Sequence, residues 1–182
     1  MSSGRSRSLG PGTAESDAMH DRKSPWWRGE RGEWYVVGQF ALMLLVLAGP
    51  RTLPGEADWG LPLVRARQAA GAALIVAGGA LALAAAMRLG WRLTPLPYPK
   101  DGAPYVQGGV YAYLRHPIYG GLAAGSFGFA LMVNGWLTFV YAAALFVLFD
   151  VKSRREERWL VQKFPEYRDY QRRVRKLVPF VY

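Results

Sequence analysis

Residues 117–149, PIYGGLAAGSFGFALMVNGWLTFVYAAALFVLF, run for 33 positions without a charged side chain. As one helix rising about 1.5 Å per residue the stretch would reach roughly 50 Å, whereas a bilayer's hydrocarbon core is about 30 Å thick. It must therefore fold back. Asn134-Gly135 near its middle is the turn signal, and Trp136 beside it is an interfacial anchor. The pattern predicts two short helices of roughly 16 and 14 residues. The first carries Gly120, Ala124 and Gly128 at fourfold spacing with Gly121 and Gly125 beside them, a face that lets another helix approach closely.

Outward from this hairpin, residues 68–87 hold 20 positions without charge and read as a spanning helix on which Gly78, Ala82 and Ala86 share a face. Residues 34–50 hold a further 17. They read as a short first span that Pro50, Arg51 and Pro54 terminate. A cleaved signal peptide ending near Val46-Leu47-Ala48 is the competing reading, against which stands a charged leader too long for an n-region. Residues 1–33 are rich in Ser, Gly and Arg without apolar periodicity, the composition of a disordered tail. The fold class expected is an all-α polytopic membrane bundle of about four transmembrane helices, with a C-terminal hairpin and amphipathic cytosolic tail helices. Three regions follow: the tail 1–33, two N-terminal spans within 34–87, and 88–182, which contains the hairpin 117–150. In the last tail a helix is expected from Lys152 to Phe164, stopped by Pro165, and another from Glu166 to Lys176, with Tyr167, Tyr170, Val174 and Leu177 as its apolar stripe.

The chain has no cysteine, which excludes disulfides, thiolate metal sites and a cysteine nucleophile. Its two histidines, His20 and His116, are too few for an ordinary histidine-based metal site. The formal net charge of +10 raises nucleic acid as a partner, but the aromatics lie inside or beside the apolar runs, where lipid contact explains them better than base stacking. The charge is topological instead. Basic residues number 6 in 1–33, 4 in 88–116 and 10 in 152–182, against 3 in 50–67 and none at the hairpin turn. This distribution places both termini and the 88–116 loop on the cytoplasmic side.

Two polar clusters flank the hairpin on that side: GGVYAYLRHPIYG at 108–120 and RREERWL at 154–160. The first precedes the entering helix and the second follows the returning one, so the fold brings them together despite some 40 residues between His116 and Glu156. Plain alternatives exist for each residue. Arg115 and His116 suit the point where a chain enters lipid, with Pro117 in the first helical turn. Glu156 can pair with Lys152 at i, i+4, while Glu157 lacks an obvious partner at that spacing. Tyr111, Tyr113 and Tyr119 suit an aromatic belt. Pro95, Pro97, Pro99 and Pro104 stiffen a loop that either covers a pocket or only connects.

The run Gly108 to Tyr119, the hairpin, Arg154 to Leu160, then Phe164-Pro165-Glu166-Tyr167-Arg168-Asp169-Tyr170 and Val178-Pro179 together resemble the isoprenylcysteine carboxyl methyltransferase family and its phospholipid methyltransferase relatives. The resemblance covers residues 89–182. It implies an integral membrane enzyme that holds S-adenosylmethionine between the C-terminal membrane helices and the cytosolic tail. Gly109, Tyr111, Arg115, His116 and Tyr119 match the first cofactor motif, and Glu156 and Glu157 the second. Arg115, His116 and Glu156 are thereby the catalytic candidates. Two departures stand out: the usual Gly-Pro-Tyr is Gly109-Val110-Tyr111, and the usual Phe-Gly is Phe164-Pro165.

S-adenosylmethionine presents a carboxylate, an ammonium and a sulfonium, so its pocket needs a donor or cation, an acid and aromatic walls. The two clusters supply all three. The partners expected are the lipid bilayer and a lipophilic methyl acceptor, either isoprenylcysteine carboxylate-like or a phospholipid amine, with Arg154, Arg155 or Arg173 holding an acidic head. No nucleic acid is expected. The competing functions are an NADPH-dependent sterol-type membrane reductase, which shares the hairpin and Arg-His-Pro, and a non-catalytic membrane scaffold resting on the Gly/Ala faces. Those faces fit packing within one chain or between chains, which leaves the oligomeric state open.

Overall fold

The computed structural model describes residues 32–54, 64–94, 105–179 and 181–182. The expectations for residues 1–31 of the tail and for the prolines at 95–104 lie outside the described residues. Five helices occur among the described residues: α1 (Glu33–Ala48), α2 (Val64–Leu89), α3 (Pro117–Val133), α4 (Trp136–Lys163) and α5 (Tyr167–Arg173). Short 3₁₀ turns occupy Gly90–Arg92 and Gly109–Ala112. No β-strand occurs among the described residues, only an isolated parallel bridge between Leu114 and Arg175. Helices α2 and α4 are long and apolar enough to cross a membrane, and α1 and α3 are apolar but shorter. This is the all-helical membrane bundle that the charge-free runs predict.

The hairpin turns where expected. Pro117 occupies the first turn of α3, where its missing N–H costs nothing. Asn134 ends α3 in the left-handed conformation (φ 54°), which a short polar side chain tolerates. The returning helix is longer than the sequence reading allows: α4 runs for 28 residues to Lys163 instead of ending at the membrane surface. The composition changes at Lys152, but Lys, Arg, Glu and Leu are all good helix formers, and no breaker arrives before Pro165. The expected separate helix from Lys152 is therefore the continuation of α4. In the other direction α5 spans only 7 residues. After Arg173 the backbone extends and pairs with the loop before α3: Arg115 N donates to Arg175 O (2.8 Å) and His116 N to Lys176 O (3.0 Å). Leu177 is buried as the stripe predicts, but from this extended segment.

Helices α2 and α3 pack side by side through glycine. A Cβ placed on Gly71 would fall 2.6 Å from Gly128 O, and one on Gly128 equally close to Gly71 O. Gly78 and Gly121 face each other's carbonyls in the same way. The small-residue faces thus serve packing within the chain, where backbones in van der Waals contact replace the hydrophobic drive that lipid removes. Gly121→Leu is expected to force the helices apart at a cost of about 1–3 kcal/mol or more, seen as a lowered unfolding temperature in detergent. Unchanged melting would contradict this packing.

On the other flank α1 lies against α4, and Ala123, Leu145 and Phe149 form the core with Leu42, Met43, Tyr119 and Leu122 packed on it. Two of the arginines counted as topological charge also have local work. Arg51 donates to Val46 O (3.1 Å) and Leu47 O (3.0 Å) at the end of α1, and Arg67 to Leu131 O (2.5 Å) at the end of α3. Each satisfies carbonyls that a helix C-terminus leaves open.

Candidate functional site

The site lies where the start of α3, the polar third of α4, α5 and the extended tail meet. Its centre is Glu157, one turn beyond Ser153 on the buried side of α4. Glu157 Oε1 accepts from Arg115 Nε (2.7 Å) and lies 3.0 Å from His116 Nε2; Oε2 accepts from Gln171 Nε2 (2.8 Å). Arg115 has four acceptor atoms, since its Nη2 also reaches Glu157 Oε2 (3.5 Å) and its Nη1 reaches Gln171 O (2.8 Å) and Val174 O. Such a charge-assisted set fixes loop, helix and tail to one another. The partner that helix spacing does not offer Glu157 comes from 42 residues away.

Glu156 is placed differently. Tyr119 Oη donates to its Oε2 (3.1 Å), and His116 Nδ1 lies 3.7 Å from the same oxygen. Its other oxygen accepts no hydrogen bond among the described residues. The Glu156 side chain is 28% exposed against 10% for Glu157. Tyr119 stacks parallel to His116 (ring centroids 5.5 Å) and to Phe149 (4.9 Å), which sets the direction of its hydroxyl. Arg115, His116, Tyr119, Glu156 and Glu157, five of the residues singled out from the sequence, thus form one cluster.

Tyr111 is buried in the 3₁₀ turn, and its carbonyl accepts from Tyr170 Oη (2.5 Å). Burial, and then the charge of Glu156, push the Tyr111 phenol up. Burial does the same to Tyr167 and Tyr170. All three remain protonated donors around neutral pH. Gly109 adopts φ 67°, open to glycine at little cost, and Arg88 at the end of α2 lies along it. Tyr105 packs against Phe164, Tyr167 and Tyr170, forming an aromatic wall beside the cluster.

The three arginines proposed for an acidic head are spread over the same cap. Arg154 donates to Asp150 Oδ2 (2.8 Å) and Tyr182 Oη (3.2 Å). Arg155 sits over the rings of Tyr35 and Trp159, and Arg173 donates to Asp169 O (3.2 Å). Sequence reasoning missed Gln171, Arg88, and a set formed by Asp150, Lys176 and Tyr182. It offered Lys152 only as a helix partner for Glu156, whereas its Nζ donates to Gln39 Oε1 on α1 (2.6 Å) and lies over the Tyr119 ring (5.0 Å). An apolar cavity of about 260 Å³ lies lower in the bundle between α1, α2 and α3, lined by Met43, Leu47, Ile75, Gly78, Leu122 and Phe129 among others. Among the described residues no group of three His, Cys, Asp or Glu side chains gathers to hold a metal ion.

A membrane helical hairpin that joins Arg-His-Pro to a Glu-Glu pair under an aromatic tail defines a class of intramembrane bundle with one polar end. The sequence profile described as phospholipid methyltransferase matches residues 66–167. The chain belongs to the phospholipid methyltransferase family. It is 29% identical over 149 residues to the cobalt-zinc-cadmium resistance protein CzcN of Cupriavidus metallidurans, covering 81% of this chain and 62% of that protein. Its fold is similar to that of the eukaryotic intramembrane Ras methyltransferase ICMT (isoprenylcysteine carboxyl methyltransferase), with a TM-score of 0.58 at 22% identity, over 91% of this chain and 56% of that one. The chain thus spans under two thirds of the length of either relative. The family match begins on α2, which the sequence reading groups with α1 ahead of the catalytic region.

Proposed function

We propose that this chain is an integral membrane methyltransferase that binds S-adenosylmethionine at the Arg115–Glu157 cluster and methylates a lipophilic acceptor. The observation that carries the reading is Glu156: a carboxylate in a rigid cluster, 28% exposed, with one oxygen held by Tyr119 and the other without a hydrogen bond among the described residues. The donor set fits the cofactor. Glu156 suits an ammonium or a ribose hydroxyl, Tyr105 and Tyr111 offer aromatic surface, and Tyr119 orients the Glu156 carboxylate. S-adenosylmethionine supplies a methyl group already activated by positive sulfur, so the protein's part is alignment and exclusion of water.

Within that reading Arg115 and Glu157 are positioning residues, because their polar atoms are spent on each other and on the tail. His116, with both ring nitrogens facing carboxylates, can hand a proton on if the acceptor is an amine, whereas a carboxylate acceptor needs no base. Gly109 gives the backbone turn that seats Tyr111. Arg154, Arg155 and Arg173 are proposed to receive an acidic head at the rim of the cap. The basic-residue distribution supports a cytoplasmic site with both termini on the same side, and residues 88–182 are proposed as the catalytic region.

Calorimetric titration of the full chain in detergent tests the proposal. S-adenosylmethionine should bind and NADPH should not, and Glu156→Gln should weaken cofactor binding by about tenfold, the worth of one charge-assisted hydrogen bond. Binding of NADPH alone would favour the reductase. Binding of neither would favour a scaffold.

A further inference from the structure

Lys152 is fully buried on α4, and its only hydrogen bond among the described residues is to Gln39. Among the described residues no carboxylate lies within ion-pair distance of it. Glu156, four residues on, is the partner that helix spacing offers, but the ammonium instead turns to α1 and to the face of Tyr119 (5.0 Å), whose hydroxyl holds Glu156. A buried cation left without a direct counter-ion is expensive to keep, and at a membrane helix such a group marks a site by default. Gln39 lies on α1, ahead of the segment matched to the family profile.

The apolar cavity lies close to this group along two helices. Met43 lines it from α1, one turn from Gln39, and Leu122 lines it from α3, one turn from Tyr119. Residues four or three apart share a helix face. The cavity lining on α1 and α3 is therefore one helical turn from the two groups that contact Lys152. A chain-like acceptor with its tail in the cavity would carry its head toward that ammonium.

We infer that Lys152, braced by Gln39, selects the charge of the acceptor's head, making the cofactor-loaded site favour an anionic head over a protonated amine. This rests on the proposed function. Arg115 and Lys152 offset Glu156 and Glu157, and S-adenosylmethionine brings one net positive charge. The loaded site then carries an excess positive charge that a negative head neutralises and an ammonium opposes. Because the surroundings are buried, the discrimination is weakly screened.

The test is calorimetric binding of decanoate and of decylamine, ten-carbon chains with heads of opposite sign, to the full chain in detergent at neutral pH with S-adenosylmethionine present. Wild type should bind decanoate about tenfold or more tightly than decylamine. Lys152→Met should abolish the difference, Lys152→Arg should keep it, and Gln39→Leu should reduce it with the cofactor still bound. The Arg and Leu variants keep the test valid if the Met variant fails to fold. Cofactor binding with equal or amine-favouring affinities in wild type, or a preference that survives in Lys152→Met, overturns the inference and leaves the proposed function standing. Absence of cofactor binding overturns both.

Discussion

Glu157→Leu is expected to abolish S-adenosylmethionine binding and to lower stability by about 3–5 kcal/mol, the usual penalty for removing one member of a buried ion pair. The substitution keeps the volume but strands Arg115, His116 and Gln171, which all converge on this carboxylate. Arg115 would keep only the carbonyls of Gln171 and Val174, which do not balance a guanidinium. The tail that those carbonyls belong to should then loosen from α3. Glu157→Gln, which preserves acceptor capacity at one atom, should recover part of the loss. Arg115→Met combined with Glu157→Leu should cost less than the two single changes added, because neither charge is then left alone. Thermal unfolding and cofactor calorimetry on the same preparations check this. Neighbouring Glu156 supplies the contrast: Glu156→Gln should weaken binding and leave melting nearly unchanged. If the two glutamates behave alike in melting, their assignment to different tasks is wrong.

That distinction between adjacent glutamates was not legible in the sequence, although their meeting with His116 was. The meeting follows from one backbone event. A charge-free run too long for a single crossing, with Asn134-Gly135 in its middle, has to return to the side it left. Pro117 and the turn then fix where both helices begin, through local conformational rules that a sequence displays openly. What lay beyond reach depends on rotation and on long-range pairing. Whether Glu156 or Glu157 turns inward is set by the phase of α4. That phase was obscured because the hydrophobic-to-charged change at Lys152 looked like a helix end, although the backbone continued to Lys163. Gln171 reaches Glu157 only because α5 stops after 7 residues and the chain extends to pair with Arg115 and His116. Helical periodicity carried Val174 and Leu177 onto one stripe and gave the right burial for Leu177 with the wrong backbone. The small-residue faces were visible as spacing, but their partner was not, and the structure pairs Gly71 with Gly128 and Gly78 with Gly121.

The same extended tail is fastened a second time, at Asp150, and its release is the other large effect to expect. Asp150 Oδ1 accepts from Lys176 Nζ (2.6 Å) and Tyr182 Oη (2.9 Å), while Oδ2 accepts from Arg154 (2.8 Å). Lys176 is buried, so Asp150→Leu leaves an enclosed ammonium whose remaining acceptor is the Asp150 carbonyl (3.2 Å). The penalty should again be about 3–5 kcal/mol, but it falls on the tail before the bundle, since α2, α3 and α4 keep their own contacts. Undocking would withdraw the Arg175 and Lys176 carbonyls from the backbone of Arg115 and His116, and the Leu177 carbonyl from its close approach to Gly120. S-adenosylmethionine affinity should therefore fall by tenfold or more, about 1.4 kcal/mol per decade, even though Asp150 touches none of the groups proposed to hold the cofactor. Trypsin offers an independent readout, because Arg172, Arg173 and Arg175 should become cleavable in Asp150→Leu while the helices stay intact. Asp150→Leu with Lys176→Met removes both charges and should restore much of the protection. A tail that stays protected with affinity unchanged when Asp150 is replaced would mean that the cluster around Glu157 holds its geometry without this second fastening, and an affinity that falls without new cleavage would mean that the loss does not run through undocking.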